Sequence, residues 1–416
     1  MRRSGITALA CAAVLLLGAC TGTMEPRPPT LLVVGVAGDG GPTLALIEDA
    51  GPQAQPRLRY LPGSARPLSA DAVAIDFEDR AGARAAAWVL SRTVTPAGVR
   101  AYLQRFDVEG IDSAEPTAFA EDVAAGLTLS DPGGGALLVA PDLTRQACPT
   151  ALQVSRLGRW AVVLDDPAAC GLTGFAVQWL VDTRERTAAP LGGATSVLAT
   201  SPYTDQAQGG EQAYFLVSAT GDAQVFAVDL SVEAPGSGAW FERARIDTGE
   251  QGATFLDMVG GSVTTGGDDV LAALTTARVG SVDLRDVAAK RETVTLKDAV
   301  QIGSRLIADP FGIASELLVI GPNRTVVIRT ATGPEVASTP FAAAGGTSGT
   351  IDPVLRFAYV LGQRSVLLVD LLSGQDLYDE PLKTLVVSVP ELALPTAGGR
   401  PLGAIGWVRA QVPDAP

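Results

Sequence analysis

The chain of 416 residues contains no histidine and only three lysines, Lys290, Lys297 and Lys383. Without histidine there is no Ser-His-Asp or Cys-His nucleophile system, no His-ligated zinc and no histidine general base. None of the lysines completes a Ser-x-x-Lys pattern, and no Gly-x-Ser-x-Gly turn, P-loop or dinucleotide fingerprint occurs. Catalysis would therefore depend on aspartate, glutamate, tyrosine or a metal held by oxygen ligands.

Basic residues and long apolar runs are also scarce. The 31 Lys and Arg residues face 45 Asp and Glu residues, which gives a formal net charge of −14. Such a surface repels nucleic-acid phosphates and anionic lipid head groups, so we expect no nucleic-acid partner. After the N-terminus no run reaches about 18 uncharged apolar residues, so the sequence predicts no transmembrane helix.

The N-terminus combines a basic start, a short apolar run and a cysteine. Arg2 and Arg3 precede the apolar run Ile6–Leu17, which ends in Leu17-Gly18-Ala19-Cys20. This tetrad resembles the lipobox of bacterial lipoproteins. The resemblance implies cleavage before Cys20 and acylation of its thiol, with 1–19 as signal peptide and 20–30 as lipidated tether. The alternative is an ordinary signal peptide with an incidental cysteine.

The resemblance also bears on location. Cleavage would remove Arg2 and Arg3 and leave a charge of −16. Multiple acyl chains on Cys20 would anchor the protein stably to a membrane. Thr21 follows Cys20, whereas an aspartate there retains enterobacterial lipoproteins in the inner membrane. We therefore expect a protein of the bacterial cell envelope, anchored in the outer membrane.

Four cysteines occur, and two remain once Cys11 leaves with the leader and Cys20 is acylated. The spacing between Cys148 and Cys170 is too long for a Cys-x-x-Cys metal or redox motif. In an oxidising compartment we expect them to form a disulfide. Two buried free thiols are the alternative.

Short β-branched runs separated by Gly, Pro or Asp turns fill the rest of the chain. One plan, strand–turn–strand, recurs at Gln212–Val232, from Asp268, at Glu316–Val336 and at Phe357–Tyr378. Aligned on the end of the second strand, the copies place Asp229, Asp283, Arg329 and Asp370 at comparable intervals along the chain. A period of about 40–50 residues predicts an all-β protein, specifically a β-propeller with four-stranded blades.

The copies resemble YVTN-type and quinoprotein-like propeller repeats, most closely at Val369-Asp370-Leu371-Leu372-Ser373-Gly374. The predicted propeller spans 31–411, with a tail at 412–416. We read Glu121–Pro190 as one blade with an insertion, giving seven blades, whereas two trimmed blades would give eight. Pro401–Ala410 is a lone strand, and we expect it to join the first blade and close the ring. The third strand of the last repeat is predicted at Asp376–Tyr378.

Several segments could carry chemistry, and each has a simpler interpretation. Gly266-Gly267-Asp268-Asp269 has calcium-binding residue types but equally fits a turn entering a strand. Asp165-Asp166 could supply paired carboxylates, although adjacent strand residues point opposite ways, and a solvated turn is the simpler interpretation. Asn323 begins a glycosylation sequon within a turn. We expect the five tryptophans to pack between blades, and we name no catalytic or metal-binding residue.

Two functions remain open. The first is a membrane-anchored, non-catalytic propeller scaffold that binds an envelope protein through its loops. The second is a carboxylate- or calcium-dependent hydrolase or lyase that acts on envelope or extracellular glycans. We expect no cofactor, with calcium left open by the acidic turns.

Overall fold

The computed structural model describes the secondary structure of the following residues: 30–37, 41–49, 58–61, 65–80, 83–95, 98–109, 128–130, 137–139, 148–154, 158–173, 177–190, 197–201, 212–218, 222–229, 240–248, 250, 252–261, 270–283, 292–296, 299–308, 316–322, 324–329, 346, 348–352, 357–362, 365–371, 384–388 and 400–408. Within them the chain is all-β, with one turn of 3-10 helix at Pro167–Cys170. No helix in this part of the chain is long and apolar enough to cross a bilayer.

The strands are numbered here in chain order. The first half contains β1 (Thr30–Ala37), β2 (Thr43–Asp49), β3 (Leu58–Tyr60), β4 (Arg66–Pro67), β5 (Asp71–Arg80), β6 (Ala83–Thr95), β7 (Gly98–Glu109), β8 (Thr128–Ser130), β9 (Leu137–Val139), β10 (Pro149–Val154), β11 (Trp160–Asp165), β12 (Val177–Asp182) and β13 (Thr187–Pro190).

The second half contains β14 (Val197–Ser201), β15 (Gln212–Ser218), β16 (Asp222–Asp229), β17 (Trp240–Asp247), β18 (Phe255–Gly261), β19 (Val270–Thr275), β20 (Arg278–Asp283), β21 (Glu292–Thr295), β22 (Arg305–Ala308), β23 (Glu316–Ile320), β24 (Thr325–Arg329), β25 (Ser348–Asp352), β26 (Phe357–Leu361), β27 (Ser365–Asp370), β28 (Thr384–Ser388) and β29 (Arg400–Val408).

The described strands form seven antiparallel sheets, and six of them follow chain order. These six are β5-β6-β7-β8 with β9 also on β7, β10 to β13, β14 to β17, β18 to β21, β22 to β24, and β25 to β28. The remaining sheet has the order β29-β1-β2-β3, with β4 also on β2. Its β29 comes from the far end of the chain and pairs antiparallel with β1, from Leu31 opposite Val408 to Ala37 opposite Arg400.

The first strands of the sheets contact one another in succession. Counting β29 as a first strand, contacts run from β29 to β5, β10, β14, β18, β22 and β25, and from β25 back to β29. Each sheet therefore contacts its neighbours along one edge, and the first and last described strands belong to the same sheet.

The sheets bury apolar side chains on both faces, because each packs between two others. All six residues of β11 are buried, which explains why its first five residues are a continuous apolar run rather than an alternating one. Three described core clusters each join neighbouring sheets, and burying one such side chain contributes roughly 1.5–3 kcal/mol. Representative pairs are Leu90 with Val163, Leu274 with Val319, and Ile320 with Val360.

The sequence repeats fall on the second and third strands of four consecutive sheets. Asp229, Asp283, Arg329 and Asp370 each end the third strand, and each pairs with the first residue of the second strand. The phase of the predicted repeat is therefore correct. The YVTN-type character of the repeat stays a prediction.

Two boundaries differ from the sequence expectation. Glu121–Pro190 does not act as one blade, because β8 and β9 pair with β7 of the preceding sheet and β10 to β13 form a sheet of their own. The strand predicted at Asp376–Tyr378 lies outside the described residues, and the strand that pairs with β27 is β28. In both places a long connection separates strands that pair, so sequence adjacency is misleading.

Candidate functional site

An arginine links two sheets that are not neighbours. Arg305, the first residue of β22, donates from Nη2 to the backbone carbonyl of Thr150 in β10 at 3.2 Å. Two other sheets lie between these strands in chain order, so the guanidinium connects sheets that are not consecutive in the sequence. About 30% of the Arg305 side chain is exposed.

Asp257 in β18 lies beside Arg305. Its Oδ2 accepts the backbone N–H of Leu306 in β22 at 2.8 Å, and its Oδ1 lies 4.0 Å from Nη1 of Arg305. Burial raises the pKa of Asp257, while the Arg305 charge and the amide hydrogen bonds act in the opposite direction. This carboxylate therefore joins two neighbouring first strands. Its distance to the Arg305 guanidinium, 4.0 Å, is at the upper limit for an ion pair.

A second aspartate makes the same kind of link elsewhere. Asp76 in β5 accepts the backbone N–H of Val154 in β10 through Oδ2 at 2.6 Å. Its Oδ1 accepts the N–H of Phe77 at 2.9 Å. A carboxylate on one first strand thus bonds to the backbone of the next first strand at two separate places.

A buried tyrosine and a buried aspartate join the last sheet in the chain to the first. The Tyr359 hydroxyl in β26 donates to Oδ2 of Asp49 in β2 at 2.7 Å. Both residues are almost fully buried. This contact lies next to the β29–β1 pairing and joins the same two parts of the chain.

The two remaining cysteines are bonded. Cys148 and Cys170 form a disulfide with Cα atoms 6.0 Å apart, between the residue before β10 and the 3-10 turn after β11. Arg92 in β6 donates from Nη1 to Sγ of Cys148 at 3.0 Å and to the carbonyl of Pro149 at 3.0 Å. Burial lowers the pKa of Arg92, and the charge of Asp71 opposes this shift.

The simpler sequence interpretation placed Asp165 in a solvated turn, but the structure does not. Asp165 ends β11 and is fully buried. Its carboxylate accepts the backbone N–H of Cys148 and lies 3.4 Å from Nε1 of Trp179. Two carboxylates before a proline are typical of a solvated turn. That interpretation is wrong for Asp165, because its buried carboxylate holds the disulfide-bonded connection.

A second buried ionic group lies between β5, β6 and β7. Glu78 accepts hydrogen bonds from Trp88 Nε1 at 3.0 Å and from Arg105 Nη2 at 2.6 Å. Burial alone would lower the pKa of Arg105, but the contacts with Glu78 and Asp107 raise it. Gly158 packs here with φ +73°, and a Cβ on it would lie 2.0 Å from a Glu78 carboxylate oxygen. This group is therefore part of the packing between strands.

The face where β10 and β22 begin is called the entry face below. The Arg305–Thr150 bond joins residues at the starts of these two strands, so the strands begin on one side. Ile302 precedes β22 there and is 79% exposed, the only large hydrophobic side chain among the described residues that is so exposed. The turn 183–186 follows β12, the third strand of its sheet, and so lies on the opposite face.

Several sequence candidates lie outside the described residues: Cys20, the turn 266–269 and Asn323. Trp88 and Trp179 pack in the cluster between the sheets of β6 and β12, as expected for inter-blade packing. Among the described residues, no group of three or more cysteine, aspartate or glutamate side chains is arranged to hold a metal ion.

Sequence reasoning missed the residues that connect the sheets: Asp49, Asp76, Arg92, Asp257, Arg305 and Tyr359. A usable signal exists for two of them. Asp76 stands between Ile75 and Phe77, and Asp257 stands between Leu256 and Met258. A carboxylate between two apolar residues of a strand must find a partner when buried, which marks it as a linking residue.

No family model and no curated protein matches the sequence. Among solved structures, the periplasmic gluconolactonase PpgL of Pseudomonas aeruginosa is similar with TM-score 0.55 and 13% identity, over 92% of this chain and 99% of that one. Apo AztD from Citrobacter koseri has a TM-score of 0.47 and 12% identity, over 91% of this chain and 98% of that one. The dihydro-heme d1 dehydrogenase NirN has a TM-score of 0.43 and 12% identity, over 94% of this chain and 78% of that one.

PpgL is a β-propeller, and the similarity to it extends over nearly the whole of both chains. Together with the small antiparallel sheets whose first strands contact in succession, this defines the chain as an all-β protein of the β-propeller fold. At 13% identity the similarity concerns the fold alone.

Proposed function

We propose that this protein is a bacterial cell-envelope lipoprotein whose β-propeller is a non-catalytic scaffold for an envelope protein partner. The observation that carries the proposal is the Arg305–Thr150 bond, which connects two non-adjacent sheets across the centre. The nearby carboxylate of Asp257 bonds to a strand backbone. The centre is thus used to hold sheets together, and the loops at the two faces are left for recognition.

We further propose seven blades, one for each described sheet, with β29 closing the ring. Support comes from the succession of first-strand contacts and from the pairing of β29 with β1. Closure of this kind removes the open sheet edges that would otherwise invite aggregation. A rigid disc then presents loops in fixed positions, which lowers the entropy cost of binding.

The anchor gives the disc an orientation. With β29 as first strand of its blade, β1 is the second strand and begins at the face opposite the entry face. The lipidated tether 20–30 leads into that end of β1, and 11 residues extend at most about 40 Å. In the proposed arrangement the entry face, with exposed Ile302, points away from the membrane that holds Cys20. Anchoring raises the local concentration of a partner in the same envelope.

Site-specific photocrosslinking in intact envelopes tests this proposal. A photoreactive amino acid replaces Ile302 on the entry face or, as the matched control, exposed Glu185 in the turn 183–186 on the other face. We expect one protein adduct of defined mass from position 302 and none from position 185. Adducts from position 185 only, equal adducts from both, or none from either would refute the proposal.

A second candidate function, a glycan hydrolase or lyase, is favoured by one observation. Asp257 is a buried acid whose pKa is raised, and it lies beside a partly exposed arginine. Such an acid could donate a proton to a leaving group. Envelope glycans, and the lactone named for PpgL, are the substrates to assay. If this candidate is right, Asp257→Asn loses turnover while Asp76→Asn, which removes an equivalent strand link, retains it. Absence of turnover in the wild type rejects it.

A further inference from the structure

We propose that the Cys148–Cys170 disulfide is a redox switch, opened by a small dithiol that attacks Cys170 and releases Cys148 as a thiolate held by Arg92. The two sulfur atoms stand in different surroundings, and this difference fixes the order of the steps. The inference is independent of the proposed scaffold function, since it concerns only the described corner between β6, β10 and β11.

Access separates the two cysteines. Cys148 is fully buried, whereas Cys170 is half-buried at the end of the 3-10 turn Pro167–Cys170. The next residue, Gly171, has φ +70°, and a Cβ there would meet no atom within 4 Å, so the space beside the turn is open. An attacking thiolate must approach along the S–S axis from outside, so it reaches Cys170 and not Cys148.

The local charge also favours attack at Cys170 with Cys148 as the leaving group. Arg92 Nη1 lies 3.0 Å from Sγ of Cys148, and no comparable cation contacts Cys170 in the described residues. A cation in contact with a sulfur stabilises its thiolate and so makes it the better leaving group. Burial of Arg92 strengthens this effect because fewer water molecules screen the charge.

Asp165 and Asp71 lie near this corner, and their negative charges oppose the effect of the arginine. Asp165 accepts the backbone N–H of Cys148, so this hydrogen bond is made to the amide. Asp71 lies opposite Arg92 in the β5–β6 register and acts on the guanidinium. Arg92 is the charged group in direct contact with Sγ.

The chemistry balances with a dithiol as reductant. One thiolate of the dithiol bonds to Cys170 Sγ, and the S–S bond breaks with its electron pair on Cys148 Sγ. The second thiol of the reductant loses its proton and attacks the reductant sulfur of the mixed disulfide, which releases Cys170 as a thiolate. The dithiol leaves as a disulfide, and its two electrons remain on the two cysteines.

Reduction of the disulfide would also affect contacts outside this group of residues. The carbonyl of Cys148 accepts the N–H of Asp166 at 2.9 Å, and Pro149 separates Cys148 from Thr150, the acceptor of Arg305. Reduction frees the connection into β10 from the β11–β12 connection, close to the contact that crosses the centre. The disulfide is therefore placed to control how firmly β10 is held at the entry face.

The test uses the mature chain from residue 20 with Cys20→Ser, so that only Cys148 and Cys170 react. Glutathione is added, the mixture is quenched with acid, and peptide mass spectrometry locates the adduct. We expect glutathione on Cys170. Adducts on Cys148, or on both cysteines equally, would overturn the proposed order of attack. The experiment changes neither Cys148 nor Cys170, so it does not depend on a variant that could misfold.

The role of Arg92 is tested by rate with dithiothreitol. Arg92→Gln removes the charge and should slow reduction by on the order of tenfold, given the strength of a charge-assisted contact, while Arg92→Lys should retain most of the rate. Exposed Arg184→Gln on the opposite face is the matched control and should not change it. Equal rates for the wild type and Arg92→Gln, or a faster rate for the variant, would refute the switch as proposed.

Discussion

The hydroxyl of Tyr359 donates a 2.7 Å hydrogen bond to the carboxylate of Asp49, although 310 positions separate the two residues. The bond joins the sheet β25 to β28 with the sheet that contains both ends of the described chain. Asp76 and Asp257 make comparable links between first strands. Polar side chains with buried partners thus hold together sheets whose apolar faces would otherwise pack with little positional specificity.

We predict that Tyr359→Phe destabilises the protein by about 1–3 kcal/mol, since it removes a donor from a buried carboxylate while leaving the ring volume unchanged. Urea unfolding of the mature Cys20→Ser protein measures the change. Tyr102→Phe is the matched control, because Tyr102 is half-buried and is not part of the Tyr359–Asp49 contact. A loss no larger than that of the control would contradict a linking role for Tyr359.

The fold class can be predicted from the sequence because blade repeats are local. A strand, a turn and a second strand follow one another closely, and the end residues Asp229, Asp283, Arg329 and Asp370 recur at the same register position. The pairing of β9 with β7 could not be predicted in the same way, because a long connection that includes β8 separates the two strands. The sequence pattern carries no mark of which earlier strand receives the chain after such a connection.

The site was much harder to predict than the fold. Asp257, Arg305 and Thr150 come from three sheets, and only contacts between strands far apart in the sequence bring them together. Asp165 shows the opposite problem, because its neighbours Asp166 and Pro167 suggest a turn, while its position at the end of β11 buries it. Burial of a single charged residue depends on packing between sheets, which a linear pattern does not encode.

A pH dependence of stability follows from Asp257. Burial raises its pKa in the folded protein, so the folded state binds this proton more tightly than the unfolded chain does. The stabilisation is complete below the ordinary aspartate pKa near 4 and is lost as pH rises through the folded pKa. We therefore expect the stability difference, wild type minus Asp257→Asn, to fall as pH rises above about 4.

Arg305→Gln sharpens this test. Arg305 opposes the rise in the Asp257 pKa, so its removal should move the loss of stability to higher pH. Urea unfolding at a series of pH values gives both curves. A difference that stays flat or increases with pH, or a shift to lower pH in Arg305→Gln, would contradict the assignment.

Acylation of Cys20 is a separate prediction. Cys20→Ser should prevent incorporation of a labelled fatty acid and prevent cleavage before residue 20, so the leader 1–19 stays attached. Fractionation of envelopes and mass spectrometry of the purified chain measure both effects, with Cys11→Ser as control, since Cys11 lies within the leader. Normal fatty-acid labelling of Cys20→Ser would show that the lipobox resemblance is misleading.

The disulfide should contribute to stability as well as to redox chemistry. Closing the loop between two cysteines at a sequence separation of 22 contributes about 3 kcal/mol in the chain-entropy model. We expect Cys148→Ser with Cys170→Ser to lower the free energy of unfolding by an amount of this order. Non-reducing mass spectrometry of the Cys20→Ser protein should find no alkylatable thiol, and two such thiols would contradict the bond.

Ring closure by β29 is the central structural claim, and an engineered cysteine pair tests it most directly. Leu31 lies opposite Val408 in the β1–β29 register, and Cα atoms of antiparallel partners are about 4.5–5.5 Å apart, which suits a disulfide. In the mature Cys20→Ser background, Leu31→Cys with Val408→Cys should form a disulfide spontaneously in air. Mass spectrometry would detect the bond as a mass decrease equal to two hydrogen atoms. Leu31→Cys with Pro401→Cys is the control, because Pro401 lies opposite Val36 and this pair should remain reduced. Two free thiols in the first pair, or bonding in both pairs, would contradict a ring closed by its two chain ends.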